Sequence, residues 1–273
     1  MAEQKDNWSS DAYQHAASFV PKLATKVMQW LDPQKDDVIL DVGCGDGVLD
    51  VEMARICKRV HGIDSSPAMI SAAKAAAESN GLANKCIFEV LDATTLPSTT
   101  ALQPASFTKA FSNAALHWIL AAPGTREAVF RGVNAALRRG GVFVFEMGGL
   151  GNVAEVRAAL LSAVGRRVGL ARAAEVDPWF FPDEGWVRGF MEGAVGGWVV
   201  ERVEREWRPT VADVGGVEGW VRLMGKKWFE VLPEGEREEC IREVVAVLEV
   251  VCSQPGGGYM LSYVRLRVVA RKL

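Results

Sequence analysis

The sequence predicts an α/β fold, a mainly parallel sheet covered on both faces by helices. Three observations carry this. Strand-like and helix-like segments alternate through the first 150 residues. The first strand, Val38-Ile39-Leu40-Asp41-Val42, is a nearly continuous apolar run, as expected of a strand buried on both faces. A turn rich in glycine, Gly43 to Gly47, then joins that strand to a helix.

The elements follow in order. Phe19, Leu23, Val27 and Trp30/Leu31 fall at helical spacing, and Asp32-Pro33 ends that helix. After the glycine turn a helix is expected over about Leu49 to Cys57, then a strand from Val60 to Ile63 closing on Asp64. Ser66 as N-cap and Pro67 at the first helical position open an alanine-rich helix that stops at Asn80-Gly81. Cys86 to Leu91 and Phe107 to Ser112 read as strands, Thr125 to Arg139 as a helix stopped by Gly140-Gly141, and Val142 to Glu146 as a fifth strand. Beyond Gly148 lie six of the nine tryptophans, and Pro178, Pro182, Pro209 and Pro233 interrupt the pattern. Helices are expected there over Val153 to Ala171, Glu184 to Ala194 and Glu234 to Cys252. The runs Trp198 to Trp207 and Met260 to Ala270 would pair antiparallel and finish the sheet. No repeat or long linker divides the chain, which reads as one domain over 1–273. Its parts are an N-terminal lid over 1–35, a ligand-binding core over 36–150, and a cap with the terminal strands over 151–273.

Composition narrows the function. With 273 residues, 49% hydrophobic, and 31 Lys+Arg against 34 Asp+Glu, the chain has a normal core and lacks the basic excess of a nucleic-acid binder. No stretch approaches the ~18 apolar residues of a transmembrane helix. The start, MAEQKDNWSS, shows neither a secretory nor a transit pattern, so a cytoplasmic protein is expected, without membrane partners. Five cysteines with no C-x-x-C pair read as reduced thiols, with no disulfide framework and no zinc site.

The sharpest feature is ILDVGCGDGVL, residues 39–49. Glycines at a βα junction let a ligand lie against the backbone at the carboxyl end of the sheet. A dinucleotide would favour G-x-G-x-x-G and a pyrophosphate on the helix N-terminus. Here the spacing is G-x-G-x-G, with Asp41 before it and Asp46 within it. Carboxylates repel a pyrophosphate and attract a ligand carrying ammonium and sulfonium charges. Asp64, ending the second strand, suits the ribose of either class. A nicotinamide-dependent oxidoreductase is therefore the rival that the turn disfavours.

LDVGCGDG, Asp64 and VLDATTLP together resemble the class I S-adenosylmethionine (SAM) methyltransferases, in particular the small-molecule group that includes trans-aconitate methyltransferases. Trp8, Tyr13 and Phe19-Val20-Pro21, the SNAALHW run (Ser112 to Trp118) and the last strand Tyr263 to Ala270 extend the similarity over most of the chain. The resemblance implies a Rossmann-like seven-stranded sheet with its last strand antiparallel. It also implies SAM as cofactor and S-adenosylhomocysteine as product. In that reading Gly43, Cys44, Gly45 and Gly47 line the methionine part, and Asp41 orients its amino group through water. Asp64 holds the ribose, Asp92 and Ala93 meet the adenine, and Ser65 and Met69 flank it. Asn113 offers a backbone carbonyl to the ammonium, and Tyr13 closes over the cofactor.

For the acceptor, His117 is either a general base or acceptor ligand, or a polar group orienting the fourth strand's loop. Trp8, Trp118, Trp179 and Phe180, with Phe181, suggest an aromatic-walled site, although each also suits cap packing. His15 and His61 read as lid or loop-edge residues. A tricarboxylate would want convergent cations, for which Arg126, Arg188 and Arg222 are candidates by location. The charges of ERVEREWR, residues 201–208, read as a solvated strand face. The expected activity is methyl transfer to a small molecule, at carboxylate oxygen or at the sulfur of a secondary metabolite, by a monomer or weak homodimer. A SAM-binding regulator or inactive partner subunit is the alternative.

Overall fold

The computed structural model describes residues 24–99, 102 and 105–273. The expected residues Trp8, Tyr13, His15 and Phe19 to Leu23 lie outside them. Seven strands form one sheet in the order β3-β2-β1-β4-β5-β9-β6. They are β1 (Val38–Val42), β2 (Arg59–Asp64), β3 (Cys86–Val90), β4 (Phe107–Asn113), β5 (Leu137–Gly148), β6 (Trp198–Trp207) and β9 (Val264–Lys272). All neighbours from β3 to β5 are parallel, and β9 runs antiparallel to both β5 and β6. The two β-rich runs of the second half therefore do pair and close the sheet.

Helices cover both faces. On one side α1 (Thr25–Leu31), α2 (Val48–Ile56) and α3 (Pro67–Ser79) bury Val27, Leu31, Met53, Ile70 and Ala73 against Ile39, Val60, Phe111 and Val144. On the other, α5 (Arg126–Ala136) and α8 (Glu184–Arg188), which runs on into a wider helical turn over Gly189–Val195, pack Phe130, Val133 and Met191 on Phe143, Phe145 and Trp198. The Ser66 cap is present: its hydroxyl accepts from the Met69 N–H at 3.2 Å, with Pro67 in the first turn.

The expected Thr125 to Arg139 helix ends earlier, at Ala136. Leu137 already pairs with Phe107 of β4, and the strand absorbs Gly140-Gly141 beside an irregularity in register. The cap is built by α6 (Ala154–Val168), α7 (Leu170–Glu175), α9 (Gly216–Met224), α10 (Lys226–Glu230) and α11 (Glu234–Cys252). These share a second core in which Trp179, Trp220 and Trp228 pack with Leu160, Val221 and Leu248. A short antiparallel pair of β7 (Thr210–Val211) and β8 (Met260–Leu261) brackets the last three cap helices in sequence. Among the described residues, no helix is long and apolar enough to cross a membrane.

Candidate functional site

A cavity of about 580 Å³ opens at the carboxyl ends of β1, β2 and β4, within the size range of small-ligand sites. Its floor is the glycine turn. The N–H groups of Gly43 and Cys44 both donate to the Ile63 carbonyl, at 2.8 and 3.0 Å, which ties the turn to β2. Gly43 has φ +77°, and a Cβ there would lie 2.3 Å from the Ala115 Cβ. Only glycine lets the turn pass this close to the loop after β4.

Asp64 organises the next wall. One carboxylate oxygen accepts from the Gly45 N–H at 3.1 Å and the other from the Ser66 N–H at 2.8 Å. The two bonds fix the carboxylate at the cavity wall. Asp92 accepts from the Thr94 N–H at 2.9 Å and opens the short helical turn Ala93–Ser98. Asn113, half-buried at the end of β4, has a side-chain oxygen that no donor reaches among the described residues.

Nine residues expected at a cofactor site line this cavity: Gly43, Cys44, Gly45, Asp64, Ser65, Met69, Asp92, Ala93 and Asn113. Asp41 and Gly47 stand behind the wall. Gly47, φ +76°, starts α2, where a Cβ would meet Ala73 at 2.8 Å and Phe88 at 3.1 Å. Its glycine serves helix packing. Asp41 is 2% exposed and meets Asp50, a fully buried residue in the first turn of α2. No donor from the other described residues reaches Asp41 Oδ1 or either Asp50 oxygen. Burial pushes the Asp50 carboxyl up to about 7. Burial and then the neighbouring Asp50 charge push Asp41 well up too, so the pair favours holding a proton. Burial, with the charges of Asp50, Asp41 and Asp64, also raises the Cys44 thiol and keeps it un-ionised.

A second, smaller cavity of about 40 Å³ adjoins the first, and Ala114, Trp118 and Met224 line both. His117 and Trp179 reach it as expected, and Phe181 does so in place of Phe180. The extended segment places Trp179 and Phe181 on one side, stacked with 6.1 Å between ring centroids. Phe180 faces the other way, 3.5 Å under the Arg126 guanidinium and edge-on to Trp186. Burial, then the Arg265 charge, holds the His117 imidazole well below its usual pKa and so neutral. Its Nδ1 accepts from the Gly148 N–H at 3.4 Å, which leaves the ring proton on Nε2. With its lone pair used there, His117 is a hydrogen-bond donor to the cavity and is poorly placed to act as a base. His61 meets Glu89 at 3.3 Å and lines neither cavity.

The three candidate arginines are elsewhere. Arg126 donates to the Leu120 and Ala121 carbonyls, Arg188 to Glu192 and the Val200 carbonyl, and Arg222 to Glu218 and Glu238. The arginine that lines the small cavity is Arg265 on β9, 3% exposed. Its Nε donates to Glu146 at 2.9 Å, and Glu146 also receives Arg267 at 2.5 Å and Arg208 at 3.4 Å. Burial works against the Glu146 charge, but Arg265, Arg208 and Arg267 outweigh it and hold the carboxyl below its ordinary range. Glu204 and Glu206, read from sequence as a solvated face, instead bind Arg267 and Lys26.

Sequence reasoning missed Arg265, Asn152 and Tyr263 in the small cavity and Leu223, Met224 and Lys227 at the larger one. For Arg265 a signal existed: YVRLRVVA places two arginines on one face of a strand that is otherwise apolar.

A family profile described as a methyltransferase domain matches residues 39–141, the strands and helices that carry the glycine turn. An uncharacterized methyltransferase of Schizosaccharomyces pombe is 39% identical over 275 residues, covering 98% of this chain and 99% of its own. Among solved structures, the YcgJ protein of Bacillus subtilis superposes with a TM-score of 0.63 at 15% identity, over 90% of this chain and 96% of that one. Geranyl diphosphate methyltransferase in complex with SAM does so with a TM-score of 0.53 at 17% identity, over 92% and 85%.

Proposed function

Because this chain belongs to the class I SAM-dependent methyltransferases, we propose that its methyl acceptor is a small molecule, methylated at a carboxylate oxygen or a thiol sulfur. The cofactor fits the larger cavity chemically. Asp46, Asp64 and Asp92 line it, and the Asn113 side-chain oxygen is a buried acceptor awaiting a donor. The carboxylates, on the sheet side of a cavity that Lys226 and Lys227 line from the cap, suit an ammonium and a sulfonium beside the glycine turn. Asp64 would hold the ribose hydroxyls, Asp92 and Ala93 the adenine edge, and Asn113 with the glycine-turn backbone the methionine end. When bound, SAM supplies a methyl group activated by its sulfonium.

The chain's own part is alignment and exclusion of water. Trp118 stands at the wall shared by the two cavities, held edge-on by Trp179 with centroids 5.6 Å apart. Residues Leu223, Met224 and Lys227 bring the cap over the cofactor cavity. A carboxylate acceptor with a pKa of about 4 is already ionised and needs no base, which agrees with His117 acting as a donor.

The observation that carries the small-molecule reading is the acceptor side itself, a cavity of about 40 Å³ closed by aromatic rings. A group of a few heavy atoms fits there, with the rest of a small acceptor in the adjoining larger cavity. The test is transfer from methyl-labelled SAM to pooled small acids and thiols, with RNA and protein pools in parallel, after calorimetry with S-adenosylhomocysteine. Label in the small-molecule pool alone is the expected result, and label confined to RNA or protein refutes the proposal.

A further inference from the structure

Resting on that reading, the small cavity says more about its occupant. Its polar lining is donor-rich. Asn152 and Arg265 are each 3% exposed, and His117 is 7% exposed. The Asn152 side-chain oxygen is taken by the Val264 N–H at 2.8 Å, so its NH₂ is the end left over. Arg265 uses Nε on Glu146, and His117 uses Nδ1 on Gly148. Among the described residues, no acceptor engages Asn152 Nδ2, the two terminal nitrogens of Arg265, or His117 Nε2. Among the described residues no carboxylate lines the cavity, and the rest of its wall includes Trp118, Trp179, Phe181 and Trp220.

The charge is equally one-sided. Arg265 shares Glu146 with Arg208 and Arg267, and meets no other carboxylate within 4.0 Å among the described residues. A buried guanidinium with a third share in one carboxylate and idle N–H groups is under-compensated. The imidazole beside it is held neutral, so the excess positive charge stays on Arg265. The volume, about 40 Å³, exceeds the ~10–15 Å³ needed for one water and matches a carboxylate-sized group.

We propose that this cavity seats a carboxylate of the acceptor. Arg265 supplies the countercharge, Asn152 Nδ2 and His117 Nε2 donate further hydrogen bonds, and the remainder of the acceptor passes Trp118 into the larger cavity. Acceptors are then organic acids with an apolar or aromatic body, and neutral isosteres are rejected because they leave the donors and the cation unmet.

The test uses quenching of tryptophan fluorescence, since Trp118, Trp179 and Trp220 line the cavity. The full chain is titrated with phenylacetate and with phenylacetamide, with and without S-adenosylhomocysteine. Saturable quenching by phenylacetate, weaker for the amide by roughly tenfold or more, is expected. Arg265→Met and Asn152→Asp should each lose that selectivity by a similar factor. Asn152→Asp keeps the acceptor for the Val264 N–H, replaces the free donor with an acceptor and sets a negative charge beside Arg265, so it tests the site even if Arg265→Met folds poorly. S-adenosylhomocysteine titrated into the same variants should bind as to the parent, which reports an intact fold. Equal quenching by acid and amide, no saturable quenching by phenylacetate at about 10 mM, or unaltered selectivity in Asn152→Asp overturns the proposal. Failure of the parent chain to bind S-adenosylhomocysteine instead overturns the methyltransferase reading, while the quenching without it still decides the carboxylate site.

Discussion

Asp50→Asn should flatten the pH dependence of stability, because Asp41 and Asp50 are buried together behind the glycine turn. Both carboxyls are raised by burial, Asp50 to about 7 from an ordinary value near 4, and Asp41 well above its ordinary value. The native state therefore holds protons that the unfolded chain has released. For an acid raised in the folded state, the stabilisation is complete below the unfolded pKa and disappears as pH rises through the folded one. Each such proton gives a slope of about 1.4 kcal/mol per pH unit. Between pH 5 and 7 the Asp50 proton alone amounts to roughly 3 kcal/mol as an upper value. An asparagine at 50 cannot ionise, and its NH₂ can donate to Asp41. The His61 and His117 imidazoles, both lowered by burial, give the opposite slope, but identically in parent and variant. The assay is urea denaturation followed by tryptophan fluorescence at pH 5, 6, 7 and 8. The expected outcome is a stability difference that shifts in favour of the variant by about 1.4 kcal/mol per unit up to pH 7. Parallel curves would refute the shared-proton account.

Asp64→Ala removes the carboxylate that fixes Gly45 and Ser66, and should weaken S-adenosylhomocysteine binding by about 1.5–3 kcal/mol in calorimetry, with the chain still folded. Gly43→Ala puts a Cβ 2.3 Å from Ala115 at φ +77°, and should abolish measurable cofactor binding by displacing the turn. Glu146→Gln leaves Arg208, Arg265 and Arg267 without their shared carboxylate. It should cost about 3–5 kcal/mol in urea denaturation at pH 7, with the loss shrinking as pH falls below the ordinary carboxylate range.

What could be read from sequence was what local pattern encodes. The run Trp198 to Trp207 and the helix Glu234 to Cys252 appear with the expected bounds, because alternation and helical period need only the neighbouring residues. The short helices α9 and α10 were missed because Gly215, Gly216, Gly219 and Gly225 punctuate them, and Trp220 and Trp228 hold them through the cap core. Phe180 and Phe181 are indistinguishable as letters, and only the extended backbone decides which faces the cavity. The arginines show the same limit. Arg265 is found through Glu146, 119 positions away, whereas Arg126, Arg188 and Arg222 satisfy themselves on nearer groups. Likewise nothing local marks Asp50 as buried against Asp41 rather than solvated on a helix N-terminus.

The two cavities divide charge in a way that suits charge-neutralising transfer. The sheet side of the cofactor cavity carries Asp46, Asp64 and Asp92, with the Asp41–Asp50 pair behind it, and the cap side carries Lys226 and Lys227. The small cavity carries a buried arginine and donors, with no carboxylate on its wall among the described residues. In the proposed reading, a cationic methyl donor lies on one side of Trp118 and an anionic acceptor on the other. The two charges vanish together as the methyl group moves, so fixed charges serve to place the reactants, and the rate gain comes from alignment and exclusion of water. The sorting also explains why the chemistry of the glycine turn can be read from sequence while the acceptor cannot. The acidic side is laid down by one strand–turn–helix unit, whereas the basic side is assembled from β9, the loop after β4 and the cap.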